Sequence, residues 1–147
     1  MNAVNHPACY LILRDGDKIL FVLRENTGFM DGKYSLPAGR VEHKERFSAG
    51  AVREAFEEVG IEVDTSKIKH VHTAHRYAPH SELVWVDVYF EAPGWQGIPV
   101  NNEPHKHKEL AWLRHNELPD NVMPFQLHAL RELLRGESYS EIGWDEA

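Results

Sequence analysis

The sequence predicts an α/β fold in which a mixed β-sheet carries packed helices. Short runs rich in β-branched and aromatic residues recur along most of the chain, and two other stretches repeat apolar residues at helical spacing. Strands interspersed with two helices bury their apolar faces by layering helix against sheet.

In chain order, Ala8 to Leu13 reads as a strand, Asp15-Gly16-Asp17 as a hairpin turn, and Lys18 to Arg24 as the returning strand. Thr27 to Lys33 is a loop, and Tyr34-Ser35-Leu36 a short extended piece stopped by Pro37. Glu45 to Val59 is the clearest helix: Val52, Ala55, Phe56 and Val59 make one apolar stripe, and Gly60 is placed to end it. Ile68 to Arg76 and Leu83 to Ala92 read as two further strands, followed by a loop from Gly94 to Pro104. Ala111-Trp112-Leu113 is a short strand. Phe125 to Leu134 is a closing helix with Leu127, Leu130, Leu133 and Leu134 on its apolar face.

The 147 residues are enough for one domain, 1–147, around one core. The 42% apolar and 27% charged content is an ordinary globular balance. No apolar run approaches the ~20 residues of a membrane span, and no basic region followed by an apolar run marks a secretory leader. The single cysteine, Cys9, cannot pair internally and reads as a small buried hydrophobe, so a cytoplasmic protein is expected. A net charge of −7 argues against a nucleic-acid partner, which calls for a basic face. An anionic small molecule is compatible with that charge only if acidic side chains hold cations.

The first helix supplies such side chains. At about 100° per residue from Val52, Glu54, Glu57 and Glu58 fall near 200°, 140° and 240°, a compact arc away from the apolar stripe. Carboxylates so crowded resist ionising unless a cation sits among them, and hard oxygen ligands suit Mg²⁺ or Mn²⁺. Taken alone, such an arc is most often a solvated helix face. The wider pattern changes that balance. Gly39, Glu45, Arg53, Glu54, Glu57, Glu58 and Gly60, with Ala55 and Ile61 at two apolar positions, stand at the spacing G-x5-E-x7-R-E-U-x-E-E-x-G-U, where U is apolar. Seven fixed residues at roughly 7% each coincide on the order of once in 10⁸ placements.

This string resembles the signature box of the Nudix hydrolases. The flanking elements fit that family's α/β/α sandwich with a mixed central sheet over nearly the whole chain. The resemblance implies that Glu54, Glu57 and Glu58, with the Gly39 carbonyl, coordinate Mg²⁺ or Mn²⁺ against substrate phosphates, and that Glu45 approaches the same cluster. Arg53 would pair with a box carboxylate and orient it. It further implies a nucleoside diphosphate derivative as substrate, attack of a water on phosphorus, and a carboxylate as base. Glu54 is the first choice for that base and Glu103 the second, an ordinary loop carboxylate being the equal alternative for the latter. The family often has Pro-Gly-Gly before the box; here the run is Pro37-Ala38-Gly39. The resemblance also allows a homodimer.

Other residues are less decisive. Arg24 and Arg76 end strands and could each hold a phosphate, though surface salt bridging is preferred for Arg76. Asn121 or Phe125, before the last helix, could read a base. Of the tryptophans, Trp112 reads as core, Trp85 is ambiguous and Trp144 could be unattached. His70, His72 and His75, or His105 and His107, could hold zinc, but scattered surface histidines are the preferred reading. Tyr77 is a slight hint of dinucleoside polyphosphates. The reading that leads is a pyrophosphohydrolase of a nucleoside triphosphate or related nucleotide. A nucleotide-sensing module without turnover would lack box carboxylates, and none is missing; an RNA-end decapping enzyme would favour a basic surface.

Overall fold

A ten-residue strand, β1 (His6–Asp15), is the spine of the fold, and its alternation decides which side each helix covers. Cys9, Leu11 and Leu13 point to one face, where they meet Ala51, Ala55 and Val59 of helix α1 (Phe47–Val59). Ala8, Tyr10 and Ile12 point to the other, against Leu127, Ala129 and Leu130 of helix α2 (Pro124–Leu134). Successive strand side chains face opposite ways, so one strand apolar on both faces calls for a helix on each. The result is an α/β/α sandwich. The computed structural model describes residues 1–147, the side chain of Glu146 excepted.

The remaining strands are β2 (Lys18–Arg24), β3 (Tyr34–Ser35), β4 (Ala38–Arg40), β5 (Lys69–Ala78), β6 (Leu83–Ala92), β7 (His107–Arg114) and β8 (Tyr139–Ile142). They form one mixed sheet along the path β3-β2-β1-β6-β5-β8, with β4 joined to β1 and β7 to β2. β1 runs parallel to β6 and antiparallel to β4; β5 runs antiparallel to β6 and parallel to β8. β2 holds β7 over nearly its full length.

Several boundaries depart from the sequence expectation for identifiable reasons. The first helix begins at Phe47, not Glu45: Arg46 is extended at φ −78°, and Glu45 folds back so that its side chain accepts from the Glu42 amide at 3.0 Å. Gly60 ends the helix as expected, left-handed at φ 72°, its N–H donating to the Phe56 carbonyl at 3.0 Å. A Cβ there would also come within 3.0 Å of Val100 and Asn102. The buried face of α1 is Ala51, Ala55 and Val59, with Gly50, whereas Phe56 is 52% exposed. That rotates the inward face by about 60° from the expected stripe, toward Glu58. The strand expected at Ala111–Leu113 is eight residues long, its added Lys108 and Glu109 being exposed and therefore silent as a hydrophobic signal. β4 and β8 were not expected, and both are short pieces held by pairing with a longer strand. Among the described residues no helix is long and apolar enough to cross a membrane.

Candidate active site

Three small residues let α1 lie close to the sheet. A Cβ on Gly50 would stand 3.0 Å from the Cys9 sulfur, and Ala51 and Ala55 are fully buried. This close approach sets Glu54 and Glu58 over β4. Glu58 Oε2 accepts from the Ala38 amide at 2.8 Å. A Cβ on residue 39 would fall 2.2 Å from Glu54 Oε1, so only glycine fits beneath that carboxylate. The Pro37-Ala38-Gly39 turn is itself fixed: Leu11 donates to the Pro37 carbonyl at 3.0 Å, and buried Gln126 accepts from the Leu36 amide at 2.8 Å.

Arg53 ties the acidic groups together. Its Nε and Nη2 donate to the two oxygens of Glu45 at 2.8 and 3.0 Å. Nη1 reaches Glu54 Oε1 at 2.8 Å and Glu57 Oε2 at 3.3 Å, and Nη2 also donates to the Arg40 carbonyl at 3.1 Å. Glu45 thus reaches the box carboxylates through Arg53, which holds its pKa down. The rotation of α1 grades exposure across the arc: the side chains of Glu58, Glu54 and Glu57 are 13%, 16% and 51% exposed.

A second segment closes on the same point. The loop of residues 94–106 docks on the end of α1, Val100 donating to the Val59 carbonyl at 2.9 Å and Asn102 to the Glu58 carbonyl at 3.0 Å. Glu103 and His107 are then turned toward Glu58: one ligand atom from each of the three lies within 4.8 Å of the others. The His107 amide donates to the Glu103 carbonyl at 2.9 Å, fixing that turn. The His107 ring is buried, its Nδ1 has no hydrogen-bond partner, and Nε2 stands 4.0 Å from Glu58 Oε1.

The electrostatics fit a cation. Burial first, then the charges of Glu54 and Glu103, push Glu58 well above the ordinary carboxylate range, against the pull of the Ala38 amide. Burial likewise raises Glu54, opposed by Arg53 and reinforced by Glu57 and Glu103. Burial lowers His107, favouring its neutral imidazole against the pull of the Glu103 charge. Mutually repelling, half-buried carboxylates beside a neutral imidazole are a donor set that a divalent cation stabilises.

A cleft of about 770 Å³ opens from this acidic point, with Glu58 and Gly39 in its wall. Its other end is aromatic and cationic, including Tyr10, Arg76, Trp85 and Phe125. Arg76 is clamped to fully buried Asp87 at 2.6 Å, and Asp87 also accepts from the Tyr10 hydroxyl at 2.9 Å. The Arg76 guanidinium lies 3.8 Å from the centre of the Phe125 ring and 5.5 Å from that of Trp85, which Arg40 also covers at 5.2 Å.

The structure therefore gathers Gly39, Glu45, Arg53, Glu54, Glu57 and Glu58 at one place, brings Glu103 to Glu58, and puts Arg24 and Phe125 in the cleft wall. Arg24 donates to the Phe29 carbonyl at 2.9 Å and so braces the loop before β3. Asn121 stands apart from the cleft wall, its amide donating to the Gly32 carbonyl at 3.3 Å. Arg76 forms a salt bridge as preferred, but a buried one. Trp144 is attached, its Nε1 donating to the His75 carbonyl at 2.9 Å. Trp112 is half-buried and stacks on Trp95. His72 and His107 are buried, contrary to the surface reading: His72 sits between the Glu137 carbonyl and Ser140 Oγ, each at 2.8 Å. Sequence reasoning passed over Tyr10 and Arg40, and weighed His107 only as a zinc ligand with His105 before preferring a surface role. For His107 the one available signal is its spacing of four from Glu103.

A family model of the NUDIX domain matches residues 4–133. Among solved structures, the MutT NUDIX hydrolase from Burkholderia pseudomallei superposes with a TM-score of 0.78 at 23% identity, covering 87% of this chain and 97% of that one. The E. coli ORF135 protein gives 0.76 at 22%, covering 90% and 91%. An ADP-ribose pyrophosphatase from Streptococcus suis gives 0.60 at 18%, covering 95% and 100%. At these identities the likeness is one of fold. No curated protein sequence matches the chain.

Proposed function

The chain belongs to the Nudix family, whose hydrolases act on phosphoanhydride bonds, and on that premise we propose that it cleaves a diphosphate linkage in a nucleoside diphosphate derivative. A nucleoside triphosphate or related nucleotide is the leading substrate, and Mg²⁺ or Mn²⁺ the cofactor. One observation carries this reading: Glu58, the most buried carboxylate of the acidic cluster, lines a cleft whose other end is aromatic. A nucleotide has the same two ends, an anionic phosphate chain and a flat base.

Glu54, Glu57 and Glu58, with the Gly39 carbonyl and Glu45 alongside, are the residues that would hold the cation. Bound there, the cation would screen the diphosphate, polarise a phosphoryl oxygen and make a water acidic enough to attack at neutral pH. Arg53 keeps the carboxylates of Glu45 and Glu54 in place through four hydrogen bonds to side chains and backbone on either side of the turn. Glu54 Oε2 accepts no hydrogen bond among the described side chains and is the atom that takes the proton of the attacking water. Arg24 meets the phosphate chain, and Phe125 and Trp85 pack against the base. The lone, buried Cys9, whose pKa burial pushes up to about 12, suits a reducing compartment such as the cytoplasm.

The test is turnover by the purified chain on nucleoside triphosphates, sugar and ribose diphosphate derivatives and dinucleoside polyphosphates, with Mg²⁺ or Mn²⁺. Release of pyrophosphate or a nucleoside monophosphate from at least one of these supports the reading, and the best substrate names the class. Folded protein that binds nucleotide and turns over none of them is a sensing module instead.

A further inference from the structure

We propose that His107 is a nitrogen ligand to a divalent cation held with Glu58 and Glu103, and that this ligand biases the position toward Mn²⁺ or a later transition metal over Mg²⁺. The inference rests on the reading of the acidic cluster as a metal site. It adds a ligand from β7 to those carried by the box helix.

Three observations converge. First, the His107 side chain is 3% exposed and makes no side-chain hydrogen bond, and its Nδ1 is buried without a partner. A buried imidazole without partners is costly in a folded protein, and a cation beside Glu58 would give one to Nε2, the nitrogen turned that way. Second, its ring faces carboxylates, with one ligand atom each of His107, Glu58 and Glu103 within 4.8 Å of one another. Nε2 lies 4.0 Å from Glu58 Oε1, too far for a hydrogen bond. Two donors that each bind one ion at roughly 2 Å stand roughly 3 to 4 Å apart, so the gap is the size of a shared ion. Third, the three residues come from two anchored pieces of backbone, the end of α1 and the turn leading into β7. Glu58 is fixed by the Ala38 amide, Glu103 by its carbonyl bond from the His107 amide, and His107 by the register of β7 on Arg24 in β2.

The choice of metal follows from the donors. Mg²⁺ is a hard ion that prefers oxygen and keeps much of its water, whereas imidazole raises affinity for Mn²⁺ and the metals after it. Glu54 and Glu57 offer oxygen donors alone, so Mg²⁺ remains served there.

The experiment is pulsed electron paramagnetic resonance on the full chain loaded with Mn²⁺. The expected result is a nitrogen coupling from a directly bound imidazole, which disappears in His107→Gln. That variant should bind Mn²⁺ roughly ten-fold or more weakly, with Mg²⁺ affinity changed much less. Tightly bound Mn²⁺ without nitrogen coupling in the wild type overturns the proposal, as does coupling that persists in His107→Gln. Should that variant fail to fold, His107→Cys loaded with Co²⁺ must gain thiolate charge-transfer absorption over the wild type; its absence in folded protein overturns the proposal equally. Nucleotide turnover with Mg²⁺ and no nitrogen coupling would sink this inference alone. Failure to bind either metal would sink the proposed function with it.

Discussion

Arg76 lies at the aromatic end of the cleft and Arg53 behind its acidic end, outside the lining; each is clamped by carboxylate, but the balance of charge around them differs. Arg76 is 11% exposed and has one acidic partner, Asp87, which is completely buried and further bonded to Tyr10. Aromatic rings cover the guanidinium. That pair is neutral and closed, with no charge left over to attract an ion. Arg53 is more exposed, at 24%, and faces Glu45, Glu54, Glu57 and, at 3.6 Å, Glu42. One positive charge among so many carboxylates leaves a surplus, and Glu58 and Glu103 stand close by. The balanced end makes a rigid floor for packing. The unbalanced end is the one whose charge a cation would offset.

The largest effect expected from this contrast is catalytic. Glu54→Gln removes the proposed base and should lower kcat by roughly 10²- to 10⁴-fold with the folded state retained. Steady-state kinetics beside a circular dichroism spectrum checks it, and near-normal turnover would move the base to Glu103. At the balanced end the effect is on stability. Asp87→Ala leaves the Arg76 charge buried without a partner and should cost about 3–5 kcal/mol in urea unfolding, whereas a loss under 1 kcal/mol would mean the pair is solvated.

The third prediction concerns pH. Glu58 and Glu54 are raised above the ordinary 4.5, so the folded metal-free protein binds protons more readily than the unfolded chain. Their contribution to stability is complete below that value and is lost as pH rises through the folded pKa values. Melting temperature of the metal-free chain should therefore decline as pH rises over that window, and Mg²⁺ or Mn²⁺ should remove the decline. An identical pH profile with and without metal would contradict a cation at these carboxylates. The smallest effect is expected at Phe56, which the helix turns to solvent: Phe56→Ser should change stability by no more than about 0.5 kcal/mol. A loss several times larger would show that this face is covered in solution.

Much of the unbalanced end was legible in the sequence because it is local. Gly39, Glu45, Arg53, Glu54, Glu57 and Glu58 lie within one turn and one helix, where fixed spacing translates into fixed direction. Little of the balanced end was legible. Arg76 and Asp87 meet only because β5 and β6 pair in one register, and Tyr10 joins them from β1 across a parallel strand. Phe56 misled for a related reason. Periodicity shows that a helix has an apolar side, but the small residues Gly50, Ala51 and Ala55, which allow close approach to the sheet, decided which side faced in.

By itself, the sequence determined the layered α/β class, the order of most elements, and the acidic helix with its arginine, because local spacing and local propensity specify these. Tertiary structure alone decided that Glu103 and His107 meet Glu58, that a charged pair lies buried beneath Trp85 and Phe125, and that Asn121 faces away. Contacts between residues far apart in the chain depend on strand register and on how closely helices dock, and no single segment encodes either.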